Sequence, residues 1–215
     1  MKMDIDMAII IIDTFMSVNK ADGATIDAYN LIKAYAETAK KAEKRKAENA
    51  KPKCVKFIDK VFAENNKFYK DTGGARDQFQ AVYKNADGKH YVCMLGYLAA
   101  QVPTQYAEER KIINEGDNEF VNLAKFIDDA ELVKGETPLD KPSEIELKEL
   151  IKAKKDYDFG AGLPTVDAKY LFVILSHFPN IDIYPVRNTA FSEEFSNIYF
   201  EDCNVRGLLM GMRRR

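Results

Sequence analysis

The chain offers few groups whose types and spacing suit covalent chemistry. Two pairs of carboxylates occur, Asp128-Asp129 and Glu193-Glu194. They are paired only by adjacency, and neighbours on a strand point to opposite faces, whereas acid–base work needs both groups aimed at one substrate. His90 and His177 are the only two histidines, and neither belongs to a recognisable nucleophile–base pattern. The three cysteines, Cys54, Cys93 and Cys203, form no CxxC, and the single close pair with a histidine, His90 and Cys93, supplies only two of the four ligands a zinc cage needs. Reduced thiols are therefore expected, and no metal cage. Gly160-Ala161-Gly162 is too short to cradle a phosphate, and GxSxG, HExxH, P-loop and GxGxxG patterns do not occur. These residues predict no catalytic site, no bound metal and no cofactor, hence a binding protein and not an enzyme. A small enzyme that gathers carboxylates from distant segments is a further alternative.

The charge pattern is more suggestive. The net charge of −2 gives no whole-molecule attraction to nucleic acid, so any DNA contact needs a local basic face. Lys53, Lys56, Lys60 and Lys67 follow one another at spacings of 3, 4 and 7. On a helix that spacing puts all four on one side, opposite an apolar stripe of Cys54, Ile58, Val61 and Phe62. An ordinary solvated helix face has the same pattern.

The elements that would carry these residues can be read from periodicity. A composition of 46% hydrophobic and 31% charged residues over 215 positions is that of a globular chain with a real core. Ile5, Ile9, Ile12 and Met16 recur at helical spacing. The run Met7 to Ile12 is flanked by Asp4, Asp6 and Asp13, which argues against a signal peptide and for a buried core segment. With no stretch near the roughly 20 apolar residues that span a bilayer, a cytoplasmic protein without membrane contact is expected. After a polar break at Asn19 to Thr25, a second helix carries Tyr29, Ile32, Tyr35 and Ala39. Its charged end, Lys40 to Lys51, is a solvated helix end or a linker. Pro52 closes a helical N-terminal extension, residues 1–51.

From Lys53 a helix is followed by two alternating runs, Phe79-Ala81-Tyr83 and Tyr91-Cys93-Leu95. Asn85-Ala86-Asp87-Gly88 supplies the hairpin turn between them. Phe120 to Ile127 reads as a short helix. Ser143 with Glu146 forms a capping box for a helix through Leu147, Leu150 and Ile151. Asp156 to Leu163 reads as a loop. Asp167 caps a helix bearing Tyr170, Leu171, Ile174, Leu175 and Phe178, stopped by Pro179. Strands follow at Ile181 to Val186, Ile198 to Glu201 and Val205 to Met212, with Pro185 marking an edge or a strand end. The expected fold is α+β, with residues 52–215 as one domain of helices on antiparallel sheet.

In order, the end of the chain reads DAKYLFVILSHFP, IDIYPV, SNIYFED and RGLLMGMR. This segment, Thr165 to Arg215, resembles the closing helix and strands of the bacterial DNA sliding clamp, the DNA polymerase III beta subunit family. Lys169-Tyr170-Leu171 match the start of the family's last helix. Met210-Gly211-Met212-Arg213 match its terminal strand, although Gly211 replaces a proline and Arg214-Arg215 a final leucine. A weaker likeness covers Lys53 to Val102. The resemblance implies a clamp-like domain and a non-catalytic accessory role in DNA replication or repair. It implies non-specific duplex DNA binding through Lys53, Lys56, Lys60, Lys67 and Lys169. It also implies an apolar cleft for short linear motifs of replication or repair proteins, at Phe195, Asn197, Leu208, Met210, Met212 and Arg213. Methionine suits such a cleft because its flexible thioether adapts to different side chains. A homo-oligomer would be needed for a ring, since the family's subunits carry three such domains. The alternative is a phage or mobile-element interaction module that keeps the clamp fold without binding DNA.

Overall fold

The computed structural model describes residues 5–18, 23–72, 77–94, 96–187 and 195–212. The chain divides into two compact units, Met1–Lys51 and Pro52–Arg215. The first unit is two helices, α1 (Ile5–Val18) and α2 (Gly23–Ala50). Ile9, Ile12 and Met16 of α1 are half-buried, as are Tyr29, Lys33 and Ala36 of α2. Lys33 Nζ lies 3.4 Å from Asp13 Oδ1 and donates to Tyr29 Oη at 3.1 Å. The charged run continues as solvated helix to Ala50.

The isoleucine run is not the buried core segment that its composition suggests. Met7, Ile10 and Ile11 are 53, 63 and 52% exposed. The physical reason is geometric: a helix pair covers one stripe on each helix, and α1 is apolar on nearly every side. None of its described residues reaches the fully buried state.

The second unit is built on a sheet of seven strands: β1 (Val82–Lys84), β2 (His90–Met94), β3 (Leu98–Val102), β4 (Ile112–Asn114), β7 (Asp182–Arg187), β8 (Phe195–Glu201) and β9 (Arg206–Leu209). Their order is β4-β1-β2-β3-β9-β8-β7, antiparallel throughout except for the parallel pair β1/β4. A small antiparallel pair, β5 (Asp156–Asp158) and β6 (Thr165–Asp167), forms a second sheet. The helices are α3 (Lys53–Thr72), α4 (Leu123–Leu132), α5 (Glu144–Lys152) and α6 (Ala168–His177).

Strand alternation divides the core into two layers. Val92, Met94, Leu98, Ile198, Phe200 and Leu209 pack with α3, α5 and α6 on one face. Tyr83, Tyr91, Cys93, Tyr199 and Leu208 pack with α4 on the other. On α3 the buried stripe is Cys54, Phe57, Ile58 and Val61. Each such fully buried large side chain contributes about 1.5–3 kcal/mol by leaving water. Behind them, buried Asn65 donates from Nδ2 to Phe79 O at 2.7 Å and Cys93 O at 2.9 Å, tying α3 to the sheet.

Local chemistry explains the element ends. Gly88 sits at φ +76° and donates to Asn85 O at 3.0 Å, which closes the β1–β2 turn. Ser143 Oγ accepts from Glu146 N at 3.2 Å, and Asp167 Oδ1 accepts from Lys169 N at 2.8 Å. The helix expected at Phe120 to Ile127 is displaced to α4, because Asn122 Oδ1 accepts from Lys125 N and starts the helix there. The expected loop from Asp156 to Leu163 begins as strand over Asp156–Asp158 and is loop from Phe159 onward. The first alternating run is strand only over Val82–Lys84, preceded by a 3-10 turn at Asp77–Gln80. Part of the polar break at Asn19, the Gly73-Gly74 loop and Leu95 lie outside the described residues. The class is thus mixed α+β with a mostly antiparallel sheet, and helices on both of its faces.

Candidate binding surface

The chain's last described strand, β9, lies between β3 and β8. Its residues alternate, so Leu208 is buried on the α4 side and Leu209 on the α3/α6 side. After Leu209 the chain leaves the ladder but stays pinned. Met210 N donates to Tyr97 O and Met212 N to Thr165 O, each at 2.7 Å. Gly211 N donates to Asn197 Oδ1 at 2.9 Å. A Cβ on Gly211 would stand 1.7 Å from Ser196 O, so only glycine fits against β8 here. The result holds two thioether side chains at a fixed edge, with Met210 39% and Met212 38% exposed.

Of the expected motif-binding residues, the structure brings Asn197, Met210 and Met212 together through Gly211. Leu208 is closed off as core, because its strand register turns it under α4. Phe195 lies two residues before Asn197 on β8, with the Arg187 guanidinium 5.5 Å from its ring centroid. Arg213 is outside the described residues.

Sequence reasoning missed Tyr97 at this edge. It ends the turn between β2 and β3, where Gly96 adopts φ +75° and Tyr97 N donates to Met94 O. The residue is 42% exposed, and its ring stacks on Tyr170 at 5.6 Å and 21°. Tyr170 is buried beneath it, and its hydroxyl is pushed up to about 12 by burial, then by Asp167, Tyr97 and Glu64. The only sequence signal for Tyr97 was an aromatic beside a turn glycine, which is common.

The lysine row sits on α3 as its spacing required. Lys53 and Lys67 are exposed, Lys56 is half-buried, and Lys60 points outward. What the spacing did not reveal is Glu64. This carboxylate is 8% exposed and receives both Lys60, at 2.8 Å, and Lys169. Burial alone would raise its carboxyl, yet the hydrogen bonds from Lys169 and Lys60 outweigh that and hold it below the usual carboxylate range. Two of the five candidate phosphate contacts are therefore already matched to a carboxylate. Lys169 also lies 5.7 Å from the Tyr170 ring centroid, which joins this cluster to the Tyr97 edge.

On the α4 face a second polar network is internally matched. Arg206 Nε donates to Gln101 Oε1 at 2.8 Å, Nη1 to Glu131 at 2.5 Å and Nη2 to Asp128 at 2.7 Å. Lys134 pairs with Glu201 and lies over the rings of Tyr184 and Tyr199. Asp128 is thus drawn to Arg206. Glu193 and Glu194 lie outside the described residues. Among the described residues no group of three or more His, Cys, Asp or Glu side chains is placed to hold a metal ion. Cys54 and Cys93 are buried thiols and Cys203 is an exposed one. No described helix is long and apolar enough to cross a membrane.

Comparison with protein-family models gives no match for this chain. Neither the curated proteins nor the solved structures give a significant match.

Proposed function

We propose that this chain is a non-catalytic accessory protein related to sliding clamps, and that it captures short linear motifs of replication or repair proteins at its final strand. The carrying observation is the pinned end of the chain. Met210, beside Tyr97, and Met212, beside Thr165, are held half-open by three backbone donors, from Met210, Gly211 and Met212. A preorganised, adaptable apolar edge suits a partner that brings one or two large side chains and little else. The order helix, strand, strand, strand from Ala168 to Leu209 supports the kinship. Tyr97 adds an aromatic anchor, a residue type enriched where binding energy concentrates.

A test needs no known partner. Panning a random-peptide phage library against the full chain should enrich peptides with two apolar anchors. Their affinity should fall at least tenfold for Met210→Glu and Met212→Glu. If no peptide is enriched over an albumin control, or if selected peptides bind the variants equally, the reading is wrong.

The lysine row on α3 favours a second reading, non-specific contact with duplex DNA. Charge reversal at Lys56 and Lys60 should then weaken a labelled duplex uniformly across sequences. The affinity should also fall steeply with added salt. No anisotropy change at low salt would remove DNA from the account and leave the motif surface standing.

A further inference from the structure

The Met1–Lys51 unit is incomplete as a folded object. None of its described residues is buried, although its two helices are rich in large apolar side chains. Short helices gain most of their stability from burying an apolar face, so an open helix pair lacks its main support. The distribution of the open residues is not random. The half-buried rows Ile9, Ile12, Met16 and Tyr29, Lys33, Ala36 face each other, with the Asp13–Lys33 ion pair along one flank. Taking the pair as antiparallel and counting about 100° per residue, Ile11 and Phe15 of α1 and Ile32 and Tyr35 of α2 share the flank opposite that ion pair. Met7 and Leu31 border it.

We propose that this flank is a self-association surface, on which two copies of the chain pair as an antiparallel four-helix bundle. The inference is independent of the motif-binding reading, which concerns the other unit. Three arguments select a second copy as the occupant. First, the area fits. Met7, Ile11, Phe15, Leu31, Ile32 and Tyr35 are 53, 52, 60, 73, 53 and 79% exposed. With roughly 200 Å² for a fully open large apolar side chain, they offer on the order of 700 Å² per chain. Two copies would bury about 1,400 Å², the size of a standard specific interface.

Second, the stripe matches itself. Its centre is the rung formed by Ile11 and Tyr35, with large apolar residues on both sides of it along the helices. A twofold axis through that rung lays the stripe of one copy on the stripe of the other and closes the assembly at two. It also gives the layer-on-layer geometry of a four-helix bundle, in which each helix buries the stripe its own hairpin leaves open. Third, a lipid surface is a poor occupant. α1 carries Asp6 and Asp13 and no lysine or arginine; on α2 Lys33 is paired with Asp13, and the other basic residues begin at Lys40, past the stripe, so the stripe lacks the basic flanks that draw an amphipathic helix onto an anionic bilayer.

The test uses the full chain in sedimentation equilibrium at about 1–100 µM, with Ile11→Asp/Tyr35→Asp alongside. The wild type should show the mass of two chains, and the double variant should raise the dissociation constant at least 100-fold. A single-chain mass for the wild type at the top concentration overturns the proposal, as does an unshifted dimer in the variant. Because the variant can lose its helices altogether, crosslinking gives a second reading. In a Cys203→Ser background, Tyr35→Cys stands at the twofold axis and Asn30→Cys on the exposed side away from it. Air oxidation over copper-phenanthroline should link Tyr35→Cys chains into disulfide dimers at least tenfold faster than Asn30→Cys chains. Equal rates would overturn the bundle geometry.

Discussion

Replacing Glu64 by glutamine separates charge from shape at the point where the two candidate functions meet. The side chain is 9% exposed and compensates two lysines, whose own side chains are 44 and 38% exposed. Breaking a wholly buried ion pair costs about 3–5 kcal/mol, mostly for the charge left stranded. Here the stranded charges are lysines that reach water, and glutamine keeps one acceptor for them. The expected loss is about 1–2 kcal/mol, which for a chain of this size lowers Tm by roughly 2–8 °C. The sign of the pH dependence follows from the depressed carboxyl. Below the ordinary value of about 4.3 the unfolded chain takes up a proton before the folded chain does. The stabilisation is therefore complete above that value and disappears as pH falls through the folded one. Thermal melts of wild type and Glu64→Gln should differ at pH 7 and converge towards pH 3. A gap of the same size at both pH values would show that packing, not charge, holds Glu64, and the electrostatic argument would fail. The same variant frees Lys60 and Lys169. If duplex DNA binds this face, its low-salt affinity should rise about three- to tenfold, with a salt slope steeper by about 1–2.

Two further outcomes follow from the same geometry. A Cβ on Gly207 would lie 2.3 Å from Ala99 O and 2.4 Å from Phe200 Cζ. Gly207→Ala should therefore cost about 3–4 kcal/mol, combining overpacking with a lost β3–β9 hydrogen bond. A Tm drop under 3 °C would refute it, and adding Phe200→Leu should restore only the part due to the ring. His90 and His177 are both held below the ordinary histidine value, first by burial, then by Lys84 for His90 and by Lys60 and Lys56 for His177. The unfolded chain protonates near pH 6.5 and the folded chain resists, so stability falls as pH drops below that point, by at most about 1.4 kcal/mol per histidine at pH 5.5. Urea unfolding at pH 7.5 and 5.5 should show this decline, and His90→Gln/His177→Gln should flatten it.

The sequence was most legible where a local signal has a single structural consequence. Ser143 with Glu146, Asp167 before an apolar run, and Asn85 to Gly88 each name a hydrogen bond that can form in only one local geometry, and each is present. The three closing strands were readable because alternation survives in IDIYPV and SNIYFE, and Pro185 correctly marked a strand at the sheet's end. The parallel pairing of β4 with β1 was not legible, since three residues carry no usable period and the partner lies about thirty positions away. Glu64 was invisible as an electrostatic hub for the same kind of reason. Lys60 is one helical turn from it, but Lys169 arrives from α6, and nothing in local spacing announces a contact across 105 positions. The isoleucine run in α1 misled because apolarity predicts burial only when a covering surface exists, and two helices alone supply too little of it.

Gly211 bears most directly on the proposed clamp kinship, because it is one of the two positions at which the end of the chain departs from that family's pattern. A proline there would lose the N–H that Asn197 accepts and would drive its Cβ into Ser196 O. The close approach of the chain end to β8 and the glycine therefore belong together, and so do Asn197 and the positions of the two methionines. Gly211→Pro should break this coupling in a defined way. The backbone must lift from β8, and the Met212 bond to Thr165 O must lengthen or break with it. Amide exchange at Met210 and Met212 should then accelerate by at least tenfold, while exchange in β2 and β3 stays within about twofold. If exchange at the chain end is unchanged, the pinning is not set by Gly211, and the departure from the proline pattern has no bearing on how this edge is presented to a partner.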